Sequence, residues 1–244
     1  MAIHIGIGGW NFAPWRGVFY PDGLPQRREL EYASTHLTSI EINATYYGSQ
    51  KRESFQKWHD ETPEGFVFAV KGPRFTTNRR VLAEARESAE RFLNSGVTRL
   101  GKKLGPINWQ FAETKKFDPE DFAAFLDLLP TSYDGLTLRH AVEVRHDSFA
   151  ATEAADLCRA KNVAIVRACD SKFPEIDAQT ADFAYLRLMG TTDLPEGYSP
   201  ADLDRWADEA RKIAKDRDLY LYVISGEKPR NPAAAMALIE RLKE

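Results

Sequence analysis

The 244-residue chain has only two cysteines, Cys158 and Cys169, too few for a disulfide-stapled scaffold. Histidine is scarce as well, with five residues at positions 4, 36, 59, 140 and 146, and no CxxC, HExxH or His-rich cluster offers zinc-ligand spacing. There is no apolar run of bilayer length, and the opening Met1-Ala-Ile-His-Ile-Gly lacks the basic segment and apolar core of a secretory signal. A cytoplasmic protein without a membrane partner is therefore expected. Neither charge dominates: 33 Lys and Arg face 36 Asp and Glu, a net −3, so there is no overall basic footprint for nucleic acid. Local basic patches remain open as phosphate contacts at Arg74, Arg79-Arg80 and Lys102-Lys103. No low-complexity tract, linker or composition shift divides the chain, so residues 1–244 are expected to form a single domain.

What is present is a rhythm. With 43% hydrophobic residues and 14 Phe, 9 Tyr and 5 Trp, the chain can enclose a sizeable core. Short apolar runs of strand character recur at 3–8, 39–43, 66–71, 106–111, 141–145, 163–167, 183–189 and 219–224. Helical spacing fills most of the gaps, at 27–35, 52–61, 81–93, 119–129, 152–161 and 202–215, and 232–242 closes the series. Alternating strands and helices call for a parallel sheet, and eight such units in this length predict a single α/β domain, a (β/α)8 TIM-type barrel. The irregular point is the passage between strands 6 and 7, where 171–182 is too short for a full crossover helix.

Alternation within the strands separates two faces. Ile40 and Ile42 oppose Glu41 and Asn43, Val142 and Val144 oppose Glu143 and Arg145, and Leu186 and Leu188 oppose Tyr185 and Arg187. If the aliphatic face meets the helices, the polar face lines the lumen, which in such barrels is ordinarily filled by branched apolar side chains. The polar residues fall toward the carboxyl ends of the strands: Glu41 and Asn43, Lys71, Asn108 and Gln110, Glu143 and Arg145, Arg167 or Asp170, and Arg187. The loop after strand 1, Gly8-Gly-Trp-Asn-Phe-Ala-Pro-Trp, adds Trp10 and Trp15 as candidate flat walls for a ligand. Its GxGG spacing is not that of a dinucleotide fingerprint.

Each residue also has a plain structural reading: Glu143 with Arg145 can be an ion pair plugging the lumen, and either tryptophan can be core. The set argues for a site, because burying several ions in one place costs several kcal/mol per ion unless they are paired. Glu41, Glu143 and Lys71 are the candidate catalytic residues, with the two carboxylates able to divide acid and base roles. Trp10, Trp15, Asn43, Gln110, Arg145, Arg187 and Asp170 are the candidate substrate contacts. Schiff-base chemistry at Lys71 needs a lowered pKa, which the neighbouring carboxylates oppose. No cofactor is expected. A divalent metal on Glu41, Glu143 and Asp170 stays open, with Lys71 and Arg145 competing for the same carboxylates.

In order along the chain, Gly6-Ile-Gly-Gly-Trp, Phe19-Tyr-Pro, Glu41-Ile-Asn-Ala-Thr-Tyr-Tyr, Phe68-Ala-Val-Lys-Gly-Pro, Leu104-Gly-Pro, Gln110-Phe and Val142-Glu-Val-Arg-His resemble the YecE-like family, the domain of unknown function DUF72. The resemblance covers nearly the whole chain and implies a TIM barrel, but no particular reaction. Three positions depart from the family pattern: Asn78 stands near where a His is usual, Ala112 where Pro-Pro follows Gln-Phe, and Ser225 where Asn-Asn follows strand 8. The expectation is an enzyme, a lyase, isomerase or hydrolase, acting on a small polar or anionic, sugar- or phosphate-like metabolite at the carboxyl face of the barrel. Two alternatives stay open, a metal-dependent endonuclease-like barrel that binds DNA and a small-ligand sensor without turnover.

Overall fold

The computed structural model describes residues 1–243; Glu244, the last residue of the expected domain, lies outside the described residues. Eight strand positions form the sheet: β1 (Ile3–Gly8), β2 (Ser39–Ile42), β3 (Val67–Lys71), β4 (Leu104–Gln110), β5 (His140–Glu143), β6 in two pieces (Ala164–Ile165 and Arg167–Cys169), β7 (Phe183–Leu188) and β8 (Asp218–Val223). All pairings among them are parallel, and β1 joins β8 on one side and β2 on the other. The ring closes through β6, whose first piece pairs with β5 and whose second pairs with β7. The backbone stays continuous at the break, where the Val166 amide donates to the Val142 carbonyl at 2.9 Å. The fold is thus the α/β barrel expected from the strand rhythm, and its irregular point is where the sequence placed it, with no helix between β6 and β7.

Helices occupy the other predicted gaps. Pro119–Asp127 and Pro200–Ile213 each begin with proline behind an oxygen-bearing cap: Asp118 accepts from the Asp121 amide and Ser199 from the Asp202 amide. The 81–93 segment is a 3-10 turn, Leu82–Ala85, running into a helix at Arg86–Leu93.

The alternation sorts the core as expected. Ile40, Ile42, Val142, Leu186, Leu188, Leu219, Leu221 and Val223 pack outward against the helices in one cluster. The lumen holds a second cluster with Phe183, Tyr185, Tyr220 and Tyr222 among Ala69, Ala141, Ala164 and Ala168. Small residues on β3, β5 and β6 make room for the rings of β7 and β8, which fill the lower and middle lumen. At the carboxyl end the packing changes to buried charge.

Candidate functional site

The inward positions at the carboxyl ends of β2, β3, β4, β5 and β7 bring Glu41, Lys71, Asn108, Gln110, Glu143 and Arg187 together, each no more than 8% exposed. Register does this directly, since Lys71 lies beside Asn108, and Gln110 beside Glu143, on paired strands. Arg187 links the two carboxylates, donating from Nη1 to Glu143 Oε2 at 2.6 Å and from Nη2 to Glu41 Oε1 at 3.0 Å. Tyr185 donates to Glu41 Oε2 at 2.6 Å. Arg145 holds Glu143 Oε1 through Nε at 2.9 Å and Nη2 at 2.6 Å, and the Asn108 amide reaches Glu143 Oε2 at 3.2 Å. Lys71 Nζ donates to Gln110 Oε1, sits 3.7 Å from Glu143 Oε2 and lies over the Tyr46 ring at 4.7 Å from its centroid.

This cluster forms the floor of a cavity of about 520 Å³. Lys71, Gln110, Arg145 and Arg187 line it, whereas Glu41 and Glu143 lie beneath them, fully buried. Three cations therefore stand over two carboxylates, and the surplus positive charge faces the cavity. Trp10, packed edge-on to Trp58, supplies one aromatic wall, and Tyr46 and Tyr47 from the short helix Ala44–Tyr47 supply another. Asn43 and the amide of Gln110 add directional polar groups. Gly8 is required here: a Cβ on it would lie 2.8 Å from Ile224 Cγ2 and 2.9 Å from Asn43 Nδ2.

The protonation states follow from this packing. Burial alone would raise the Glu143 carboxyl, but Arg187, Lys71 and Arg145 together hold it well below the usual carboxylate range. Burial, reinforced by the Arg187 charge, lowers Lys71 to about 8 despite the pull of Glu143 and Glu41. The neighbouring carboxylates thus do not keep this amine high, because the cost of burying its charge, with the Arg187 guanidinium beside it, outweighs them. Burial and the Glu41 charge push the Tyr185 hydroxyl well up, which keeps it a neutral donor.

Two expected contacts lie elsewhere. Trp15 is fully buried among Phe12, Phe19 and Tyr20 and does not line the cavity; its indole Nε1 donates to the Lys228 carbonyl at 2.9 Å. Asp170 is exposed, follows β6 with a positive φ of 51° and packs against Gly190 and Tyr198. That left-handed turn breaks the alternation that pointed Asp170 inward. Arg167, its alternative on that strand, faces outward to Glu175 and Glu209 at 2.7 and 3.0 Å. Asp170 does not join the glutamates as a third carboxylate, and each oxygen of Glu41 and Glu143 already accepts from a cation or hydroxyl. Among the described residues no group of three His, Cys, Asp or Glu is arranged to hold a metal ion. Of the basic patches, Lys103 is buried at the amino end of β4 and bonds the His59 and Thr62 carbonyls, and Arg79 folds back onto the Phe75 and Glu84 carbonyls.

Several residues of the site were not singled out from sequence. Tyr185 shares the inward face of β7 with Arg187, a signal that the alternation carried. Lys228 and Asn231, which also line the cavity, follow β8 in a stretch without strand periodicity. Of the departures from the family pattern, Ser225 lines the cavity and Asn78 lies against the Tyr46 hydroxyl.

No helix among the described residues is long and apolar enough to cross a membrane. The protein-family model described as "Protein of unknown function DUF72" matches residues 4–244. The UPF0759 protein YecE of Escherichia coli K12 is 28% identical over 150 residues, 60% of this chain and 50% of that protein, so the match spans about half the relative's length. A DUF72 family protein of Thermotoga maritima superimposes with a TM-score of 0.79 at 25% identity, covering 100% of both chains. More distant barrels share the fold alone: the D-psicose 3-epimerase of Clostridium cellulolyticum, at TM-score 0.59 and 14% identity over 100% of this chain and 98% of its own, and SacUVDE, at 0.58 and 10% with the same coverage. With the family model running nearly from end to end, the chain belongs to the DUF72 family.

Proposed function

We propose that the chain is an enzyme that binds a small, hydroxylated, anionic metabolite at the carboxyl face of its barrel and moves a proton with Lys71. The observation that carries this reading is the arrangement of charge: Lys71, Arg145 and Arg187 line the cavity, while the carboxylates that hold them lie below. An ion cluster that only plugged the lumen would be balanced and closed. This one is unbalanced and opens onto a space large enough for a metabolite.

The roles differ from an acid–base pair of glutamates. Glu143 is held ionised by three cations, and both oxygens of Glu41 are taken up by Arg187 and Tyr185, so both act as positioning residues. An amine with a pKa near 8 exchanges its proton readily at neutral pH, which fits Lys71 for proton transfer next to a carbonyl or carboxylate. Arg145 and Arg187 are placed to stabilise the oxyanion that develops. This chemistry belongs to isomerases and lyases. The epimerase solved with D-tagatose shares only the fold and contributes a probe, not an argument.

The test is solvent deuterium exchange followed by NMR on a panel of ketoses, sugar phosphates, hydroxy acids and abasic duplex DNA. The expected result is exchange or turnover of one anionic hydroxylated class, lost at least a hundredfold in Lys71→Arg, which keeps the charge but cannot titrate near neutrality. Saturable binding without exchange or product would make the protein a sensor. A salt-steep affinity for DNA alone would favour the nucleic-acid reading.

A further inference from the structure

We infer that the cavity has a second anion-binding pole, built by the loop after β8 and the helix Asn231–Lys243, and that it takes a terminal phosphate or carboxylate of the metabolite. The inference rests on the functional reading above and gives its substrate two ends. The floor of the cavity handles the reacting centre, and this pole holds a group that does not react.

Three observations converge on it. Asn231 opens a helix of 13 residues, lines the cavity and is only 1% exposed. Its Oδ1 accepts from Thr191 Oγ1 at 2.7 Å, which fixes the amide's orientation. Its Nδ2 has no acceptor among the described residues and is not among the atoms sealed from solvent, so the amide offers its donors to the cavity. With its orientation fixed by Thr191, the amide can meet a ligand oxygen without reorganising.

Lys228, three residues earlier, lines the same space and makes no ion pair among the described residues. Its ammonium lies 4.0 Å from the centroid of the Phe12 ring, and its backbone carbonyl is tied to Trp15. Burial lowers its pKa, as expected of a cation held against aromatic rings without a carboxylate. The aromatic contact fixes the ammonium without neutralising it, so it remains available to an anion.

The third observation is the backbone. The helix opens beside the cavity, but its Asn231 amide donates to the Lys228 carbonyl and Pro232 carries no N–H, so the donors there are side chains. The approach is made by Ser225 and Gly226, both with positive φ, at 61° and 55°. A Cβ on Gly226 would lie 2.6 Å from the backbone of Thr191, so this turn docks tightly on the loop after β7, and the Glu227 amide donates to the Thr191 carbonyl at 2.8 Å. The pole is thus built on two interlocked loops. A side-chain amide without an acceptor and an ammonium without an ion pair line the same space.

The experiment compares glycerol 3-phosphate, glycerate and glycerol by calorimetric titration of the full chain and three variants. Asn231→Asp keeps the oxygen that accepts from Thr191 but replaces the two donors with a carboxylate; Lys228→Met removes the cation while retaining much of the stem; Lys71→Met alters the floor. The expected result is at least tenfold tighter binding of an anionic probe than of glycerol to the natural protein, and a loss of tenfold or more in both Asn231→Asp and Lys228→Met. Preference for glycerol 3-phosphate over glycerate would identify the terminal group as phosphate, and the reverse as carboxylate. Affinities within twofold of the natural protein in both loop variants, or no discrimination against glycerol, would overturn the pole. If Lys71→Met alone weakens binding, the functional reading survives without it; if no variant changes anything, both fail.

Discussion

Both ends of the barrel lumen carry charge, and they use it differently. At the amino end Arg139 pairs with Asp218 at 2.9 Å and donates to the Tyr220 hydroxyl at 2.7 Å, while His4 stacks on Tyr220 and the Arg139 guanidinium lies over Phe183. One cation meets one carboxylate, both partly exposed, and aromatic rings cap the lumen. At the carboxyl end three cations stand on two fully buried carboxylates and open onto a cavity. The contrast teaches that charge within a barrel does not itself mark a site; uncompensated charge beside an enclosed space does.

The comparison can be broken by mutation. The largest expected effect is at the carboxyl end, where Glu143→Gln removes the shared anchor of Arg145 and Arg187 and should lower stability by about 3–5 kcal/mol in urea unfolding. A loss under 1 kcal/mol would mean that the cations had found solvent. Next comes pH. Because Lys71 falls from 10.5 to about 8 on folding, the unfolded chain binds more protons than the folded one between those values. The Lys71 contribution to stability should therefore rise with pH across that window, by on the order of 3 kcal/mol. It is read as the difference between the natural protein and Lys71→Met, because the buried Cys158 and Cys169 thiols, pushed up by burial, lower stability above pH 9 in both. Chemical denaturation at a series of pH values checks both statements.

Two smaller effects sharpen the contrast. Tyr185→Phe leaves a Glu41 oxygen without its hydroxyl donor and should cost about 1.5–3 kcal/mol in the same unfolding assay. At the amino end Asp218→Asn breaks a partly exposed pair and should cost about 1 kcal/mol or less. Equal losses at the two ends would erase the distinction.

Much of this was legible in the sequence, for a physical reason. Strand alternation is a local property, so Ile40 against Glu41, Val142 against Glu143 and Leu186 against Arg187 declared their faces before any pairing was known. Parallel register then brought those inward residues to one level. What escaped was whatever depended on turns or on neighbours distant in sequence. Asp170 is itself left-handed, which turns it out of the strand's alternation, and Trp15 packs into the helix-facing core. That the two glutamates would be saturated by Arg187, Arg145 and Tyr185, leaving Lys71 as the titrating group, required the distances. Lys228 and Asn231 needed the docking of the last loop on Thr191, which no periodicity announces.

The central claim is that surplus positive charge at the carboxyl end faces an anion. It is tested most directly by NMR titration of the lysine side chains in isotopically labelled protein, with the Lys71 signal assigned by its disappearance in Lys71→Arg. The account predicts a Lys71 midpoint near 8 in the free protein, moving upward when glycerol 3-phosphate is added, because an anion in the cavity stabilises the ammonium. A midpoint at the ordinary lysine value, unmoved by the anion, would contradict it.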